Sequence, residues 1–212
     1  FENCKIGRAF ANISQMIVLS HFKGHQVAGF GGAIKQLAMG CAARGGKLAQ
    51  HADAFPLLNP LQCKKCGICA ENCPVDAIRI SLVPHIEKSK CIGCAACIAN
   101  CPHGAIKINW LGSVGGAFRE KLAEYAFAAR QGKQNIYINF ALQITKGCDC
   151  VGQSMNPICD DFGIFASTDP VAIDHACLEM MSQKGCKPFS GKDIFPYAEK
   201  IGLGSTQYQL DI

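Results

Sequence analysis

The chain has 212 residues, 49% of them hydrophobic and 17% charged, and carries a formal charge of +5 at pH 7. That length suits a medium domain with a smaller one beside it. No apolar run approaches the roughly 18 residues of a membrane span, and no basic leader with an apolar core marks a secretory signal.

Residues 1–60 read as α/β. Residues 13–20 form a strand, with Met16-Ile17-Val18-Leu19 as its apolar, buried run. A polar stretch follows, His21-Phe22-Lys23-Gly24-His25, and then a glycine-rich turn, Gly29-Phe30-Gly31-Gly32. Residues 33–39 have helical composition, with Gly40 as a stop. Pro56 and Pro60 punctuate the approach to a cysteine-rich segment.

Residues 61–108 repeat internally. The first run is Cys63-x2-Cys66-x2-Cys69-x3-Cys73-Pro74, and the second is Cys91-x2-Cys94-x2-Cys97-x3-Cys101-Pro102. The two align without gaps at an offset of 28 residues, each ending in an apolar pair, Ala77-Ile78 or Ala105-Ile106. This implies a pseudo-twofold module. Three thiolates at i, i+3 and i+6 wrap one face of a cubane, and the fourth reaches the neighbouring cluster. The expectation is two 4Fe–4S clusters, one on Cys63, Cys66, Cys69 and Cys101, the other on Cys91, Cys94, Cys97 and Cys73. Gly67 and Gly93 let the backbone approach sulfur. A pair of zinc sites is the alternative, but two Cys-x2-Cys knuckles per ion do not account for triple runs followed by Cys-Pro.

Residues 109–212 return to α/β composition. Phe118, Leu122, Tyr125, Ala126 and Ala129 recur at helical spacing, closed by Gly132. Residues 135–142 and 164–166 read as strands. A helix follows through about Gln183, with Thr168 as N-cap and Asp169 favourable at its positive end. The expected fold is an α/β domain, with a mostly parallel sheet and helical crossovers, formed by residues 1–60 and 109–212. A two-cluster ferredoxin-like α+β module, residues 61–108, is inserted in it. Trp110, the lone tryptophan, is expected to pack the junction.

The 15 cysteines exceed ordinary usage. With no export signal and eight of them in a metal-binding register, the expected setting is a reducing cytoplasm, in an anaerobe or facultative anaerobe. Two oxidised clusters, each 2− with its thiolates, would lower the net charge to about +1. The basic residues are scattered, without an aromatic-interleaved stripe, so no nucleic-acid surface is expected.

Beyond the cluster cysteines, three groups carry chemistry. His21, Lys23 and His25 follow a strand end, where open α/β sheets place ligands; they suit metal binding or acid–base work, or form only a solvated loop. The glycine turn before a helix could present N–H groups to an anion with Lys35 assisting, or be only a tight turn. Cys148-Asp149-Cys150, with Cys159 nearby, could bind a third metal or form a redox pair, with Cys41 or His51 completing it; or these are buried hydrophobes. Cys4, Cys177 and Cys186 show no partner spacing, and Lys64-Lys65 form a solvated rim.

Long motifs run through the chain: Ser20 to His25, Gly29 to Lys35, Met39-Gly40-Cys41, Gly46-Lys47 with His51, Tyr137-Ile138-Asn139-Phe140, Cys148-Asp149-Cys150, the run from Gly163 to Asp174 and that from Ala198 to Gly204. They carry a resemblance to the iron–sulfur centre proteins of domain-of-unknown-function family 362. It implies a further region ahead of Phe1, so the chain is expected to be a processed product or a fragment. The stretch from His21 to Lys35 is also similar to part of the nickel-pincer lactate racemases, which implies a ligand or metal on that face.

The expected function is electron transfer through the two clusters, in an iron–sulfur oxidoreductase whose α/β domain holds the acceptor site. The competing readings are a non-catalytic electron-transfer subunit docking to a partner enzyme and a metal- or cluster-handling protein. A redox partner protein is expected, a small-molecule substrate is left open, and no catalytic residue is assigned.

Overall fold

The computed structural model describes residues 1–51, 56–82, 84–91, 96–108, 116–151 and 154–211. The chain divides into two compact units, Phe1–Ala43 with Gly115–Ile212, and Arg44–Val114.

The first unit is built on a three-stranded sheet in the order β1 (Gln15–His21), β8 (Gln134–Ala141), β9 (Gly163–Ser167). β1 runs parallel to β8, with Ile17 opposite Ile136 and His21 opposite Phe140. β9 runs antiparallel to β8, with Ala141 opposite Gly163. The sheet is therefore mixed rather than mostly parallel. Residues 142–162 return the chain to the same end of the sheet, with only a short helical turn, Asp149–Val151, as regular helix among the described residues. Because the connection comes back to the end at which β8 stops, the next strand runs in the opposite direction.

β1 is not buried on both faces. Val18 and Ser20 face the core, whereas Ile17 is 70% and Leu19 55% exposed. The alternation is that of a half-covered sheet. On the covered face, α5 (Gly116–Arg130) and α6 (Pro170–Gln183) bury Phe118, Leu122, Tyr125, Leu178 and Met181 with Phe22, Leu37 and Tyr137. The cap of α6 is Asp169, not Thr168: its carboxylate accepts from Val171 N at 2.7 Å and Ala172 N at 3.1 Å. Its Oδ2 also accepts from Ser205 N at 2.8 Å, tying the C-terminal segment to the helix start.

The stretch after β1 is more ordered than a loop. β2 (Lys23–His25) and β3 (Gly29–Gly31) form a tight antiparallel hairpin. α1 (Ala33–Lys35) follows and widens into a π-turn over Gln36–Gly40. Lastly, α7 (Ile194–Lys200) packs against α5.

The second unit contains α2 (Arg44–His51), β4 (Pro56–Leu58), α3 (Ile68–Glu71), β5 (Ile78–Arg79), β6 (His85–Ile86), α4 (Ala96–Ala99) and β7 (Ile106–Ile108). β4 pairs antiparallel with β7, and β5 with β6. Cys69, Ile78, Ile86, Cys97 and Ile106 make its core. The internal repeat is visible in the bonding: Asn72 Nδ2 donates to Ile68 O and Asn100 Nδ2 to Ala96 O, both at 2.9 Å. Ile92, Gly93, Cys94 and Ala95, and likewise Trp110, lie outside the described residues. Among the described residues no helix is long and apolar enough to cross a membrane.

Candidate functional site

In the first unit the chemistry converges where β1 ends. Asp149 reaches back to that corner. Its carboxylate accepts from His21 Nδ1 at 2.9 Å and lies 3.1 Å from the Lys23 ammonium. Burial opposes the Asp149 charge, but the bonds from His21 and Lys23 outweigh it and hold the carboxyl below its usual range. The other His21 nitrogen, Nε2, faces Leu142 O at 3.0 Å. Both nitrogens thus face oxygen acceptors, and neither is turned to a metal. His21 is an anchor for the loop that carries the two cysteines.

The anchored loop brings Cys148 and Cys150 to His25. The donor atoms of these three residues all lie within 4.8 Å of one another. Cys148 is buried and Cys150 exposed. Lys35, from α1, donates to Cys148 Sγ at 3.3 Å. Burial raises the Cys148 thiol, but hydrogen bonds from Cys150 and the adjacent Lys35 charge prevail and lower it. Cys150 is raised, first by burial and then by the Cys148 sulfur beside it. Cys and His donors of this kind suit zinc or copper, and equally a redox-active thiol pair. His25 also edges an open cleft of about 960 Å³ whose lining includes Lys146, Met155, Ile158, Lys187 and Phe189.

The glycine turn does cradle an anion, but an internal one. Asp174 is fully buried, and its carboxylate accepts from Ala33 N at 2.7 Å, Ile34 N at 3.0 Å and Asn139 Nδ2 at 2.8 Å. A Cβ on Gly32 would sit 2.2 Å from Asp174 Oδ1, so the carboxylate occupies the space an alanine would need. Burial raises the Asp174 carboxyl to about 6 despite those bonds. Cys159 does not join Cys148 and Cys150. Its thiol hydrogen-bonds with that of Cys186 and is pushed up to about 11, mainly by burial and then by Cys186. Cys41 is buried in the apolar core, and His51 belongs to α2 of the other unit.

In the second unit, Cys63, Cys66, Cys69 and Cys101 line one small cavity, with Lys64, Lys65 and Gly67 on its wall. Gly67 has φ +81, a left-handed conformation that lets the chain turn from the Cys66 loop into α3. Backbone N–H groups face the sulfurs: Lys65 N lies 3.4 Å from Cys63 Sγ, Ala77 N 3.2 Å from Cys73 Sγ and Ala105 N 3.3 Å from Cys101 Sγ. Burial raises Cys101, but the amides of Ala105, His103, Ile106 and Gly104 overcome it and lower the thiol. Cys69 is raised, first by burial and further by the Cys63 and Cys101 sulfurs nearby. Crowded sulfurs that repel one another and accept N–H bonds fit a cationic iron–sulfur core. Of the other expected set, Cys73, Cys91 and Cys97 pack in or against the unit's core, and Cys94 lies outside the described residues.

The family model described as "Domain of unknown function (DUF362)" matches residues 1–179. The chain belongs to the DUF362 family. No curated protein matches it.

In this DUF362 chain the sequence picked out both halves of the corner site but did not join them. Tertiary structure alone brings Asp149 to His21 and Lys23. The role of Asp174 was also missed. The available signal was an acidic residue at a buried position of a helix otherwise rich in apolar side chains, since such a charge needs partners.

Proposed function

We propose that this DUF362 protein is an iron–sulfur oxidoreductase that moves electrons through two 4Fe–4S clusters to an acceptor site on its α/β unit. Residues 61–108 are its two-cluster ferredoxin-like module. Cys63, Cys66, Cys69 and Cys101 would hold one cluster, and Cys91, Cys94, Cys97 and Cys73 the other. The observation that carries the reading is the convergence of Cys63, Cys66, Cys69 and Cys101 on one cavity. They come from both halves of the repeat, in the interleaved combination that its spacing predicts. The amides directed at Cys63, Cys73 and Cys101 support it, because N–H donors stabilise thiolate without adding formal charge.

When bound, the clusters supply one-electron transfer. The protein's own part is to hold the thiolates, exclude water with Ile78, Ile86 and Ile106, and receive a small molecule in the cleft beside His25. The test is anaerobic iron and sulfide analysis with EPR of the isolated and dithionite-reduced protein. About eight irons per chain and a reduced-state signal of interacting S = 1/2 centres are expected. Stoichiometric zinc in place of iron after anaerobic isolation overturns the reading.

A further inference from the structure

The group of His25, Cys148 and Cys150 has the makings of a metal site, yet two features of its surroundings work against a cation. The first is the polarity around His25. Val27 N and Ala28 N both donate to its Nδ1, at 3.2 and 3.0 Å. With Nδ1 accepting, the neutral ring carries its proton on Nε2. A metal-bound histidine shows the reverse arrangement, its second nitrogen donating to a carboxylate or carbonyl. The second is Lys35, whose ammonium lies 3.3 Å from Cys148 Sγ, where it would repel a dication bound to that sulfur. Both features instead favour an anionic sulfur with a proton donor beside it.

The two cysteines are also differently placed. Cys150 is exposed and Cys148 buried, one residue apart on either side of Asp149, which His21 and Lys23 hold. An accessible thiol beside a protected thiolate that can take its proton suits dithiol–disulfide exchange, in which the attacking sulfur has to be a thiolate. The cleft beside them begins at Gly147 and His25 and carries Lys146 and Lys187 with an apolar wall of Met155, Ile158 and Phe189. That lining suits a small anionic molecule.

We propose that Cys148 and Cys150 form a redox-active dithiol–disulfide couple that reduces a small anionic disulfide bound in this cleft. Cys150 passes its proton to the neighbouring Cys148 thiolate, and the Cys150 thiolate so formed attacks one sulfur of the substrate; a mixed disulfide forms and the first product leaves as a thiolate. Cys148 then attacks Cys150, the Cys148–Cys150 bond forms and the second thiol departs. Two electrons pass to the substrate; the single proton held by the thiolate–thiol couple ends on one product thiolate, and water protonates the other. Two one-electron donations and one proton return the couple to its thiolate–thiol form. The source of those electrons rests on the iron–sulfur reading above; the couple itself does not.

The test uses the full-length, anaerobically isolated protein with differential alkylation and peptide mapping. On titration through dithiothreitol redox buffers, Cys148 and Cys150 are expected to oxidise together as one two-electron couple. The anionic disulfide 5,5′-dithiobis(2-nitrobenzoate) should drive the same oxidation, and Cys148→Ser should trap the mixed disulfide on Cys150. Lys35→Met should slow alkylation of Cys148 at pH 7 by about tenfold, the effect of one unit in thiol pKa. Lys146→Glu with Lys187→Glu should slow the reaction with the anionic disulfide while sparing a neutral one. Tight binding of added zinc that is lost in Cys148→Ser overturns the couple in favour of a metal site. So does failure of the two cysteines to oxidise together. Iron content read in the same samples keeps the two ideas apart: iron retained with no couple sinks only the couple, and a couple without iron sinks only the cluster reading.

Discussion

The two thiol-rich regions stabilise sulfur by different means. In the unit Arg44–Val114 the partners of the sulfurs are backbone amides, from Lys65 to Cys63, Ala77 to Cys73 and Ala105 to Cys101. At the end of β1 Cys148 accepts from the Cys150 amide at 3.5 Å and, in addition, from a full positive charge, the Lys35 ammonium at 3.3 Å. Amide dipoles leave room for a cationic core among the thiolates. An ammonium fills that role itself and leaves Cys148 as an anion able to take the Cys150 proton and then to resolve a mixed disulfide. Two regions rich in cysteine are thus suited to different chemistry, and the distinction rests on the ammonium added beside Cys148 rather than on how many sulfurs gather.

The sharpest way to break this comparison is to remove one sulfur from each region. Cys66→Ser is expected to cost about half of the iron or more, because a 4Fe–4S core requires its fourth thiolate. Cys148→Ser should leave iron unchanged. Iron and sulfide analysis of the two variants reads the difference. If both lose iron equally, the regions do not act independently.

The next effect is steric. Gly32→Ala places a Cβ 2.2 Å from Asp174 Oδ1. The carboxylate cannot withdraw without abandoning the Ala33 and Ile34 amides, so a loss of about 2–4 kcal/mol is expected in denaturant unfolding. Gly40→Ala is the control, since its Cβ meets only the flexible Gln36 side chain at 3.4 Å. It should change stability by less than about 1 kcal/mol.

These cases also show which features were legible from residues alone. The cysteine repeat could be read because its ligands lie within a few residues of each other and recur at a fixed offset. β8, α5 and α6 were read within a few residues of their observed limits because apolar periodicity defines them. β2 and β3 were missed: three-residue strands containing Lys23, His25 and glycines carry no alternation to recognise. The direction of β9 was misjudged because composition marks a strand but not the route of the preceding connection. The corner site depends on residues more than 100 positions apart, such as Lys35 and Cys148, and no local pattern contains that pairing.

A smaller effect tests the charged anchor beneath the corner. Asp174→Asn turns an amide toward the N–H groups of Ala33 or Ile34, leaving a buried donor unmatched. The expected loss is about 1–3 kcal/mol at neutral pH. The pH dependence has a definite sign. Burial raises the folded carboxyl to about 6. Between the unfolded value near 4 and that folded value, the folded state binds the extra proton. The wild-type protein should therefore lose stability as pH rises across this window and level off above it. Melting curves from pH 4 to 7 should show that slope in the wild type and its absence in Asp174→Asn.

The smallest effect concerns Asp149, whose side chain is 54% exposed. Its carboxyl is held below the usual range because the bonds from His21 and Lys23 overcome its burial. The sign is opposite to that of Asp174: the contribution is present above the unfolded value near 4 and disappears as pH falls through the folded one. Solvent screening at this exposure keeps the stability term below about 1 kcal/mol. The larger consequence of Asp149→Asn should be positional. Asn retains an oxygen for one donor but loses the charge that attracts Lys23 and His21 together, so the loop should loosen over His25. Co-oxidation of Cys148 and Cys150 is then expected to slow severalfold while global unfolding barely changes. An unchanged oxidation rate would mean that Cys148 and Cys150 are held by the loop's own backbone, with His21 and Lys23 contributing nothing to their alignment.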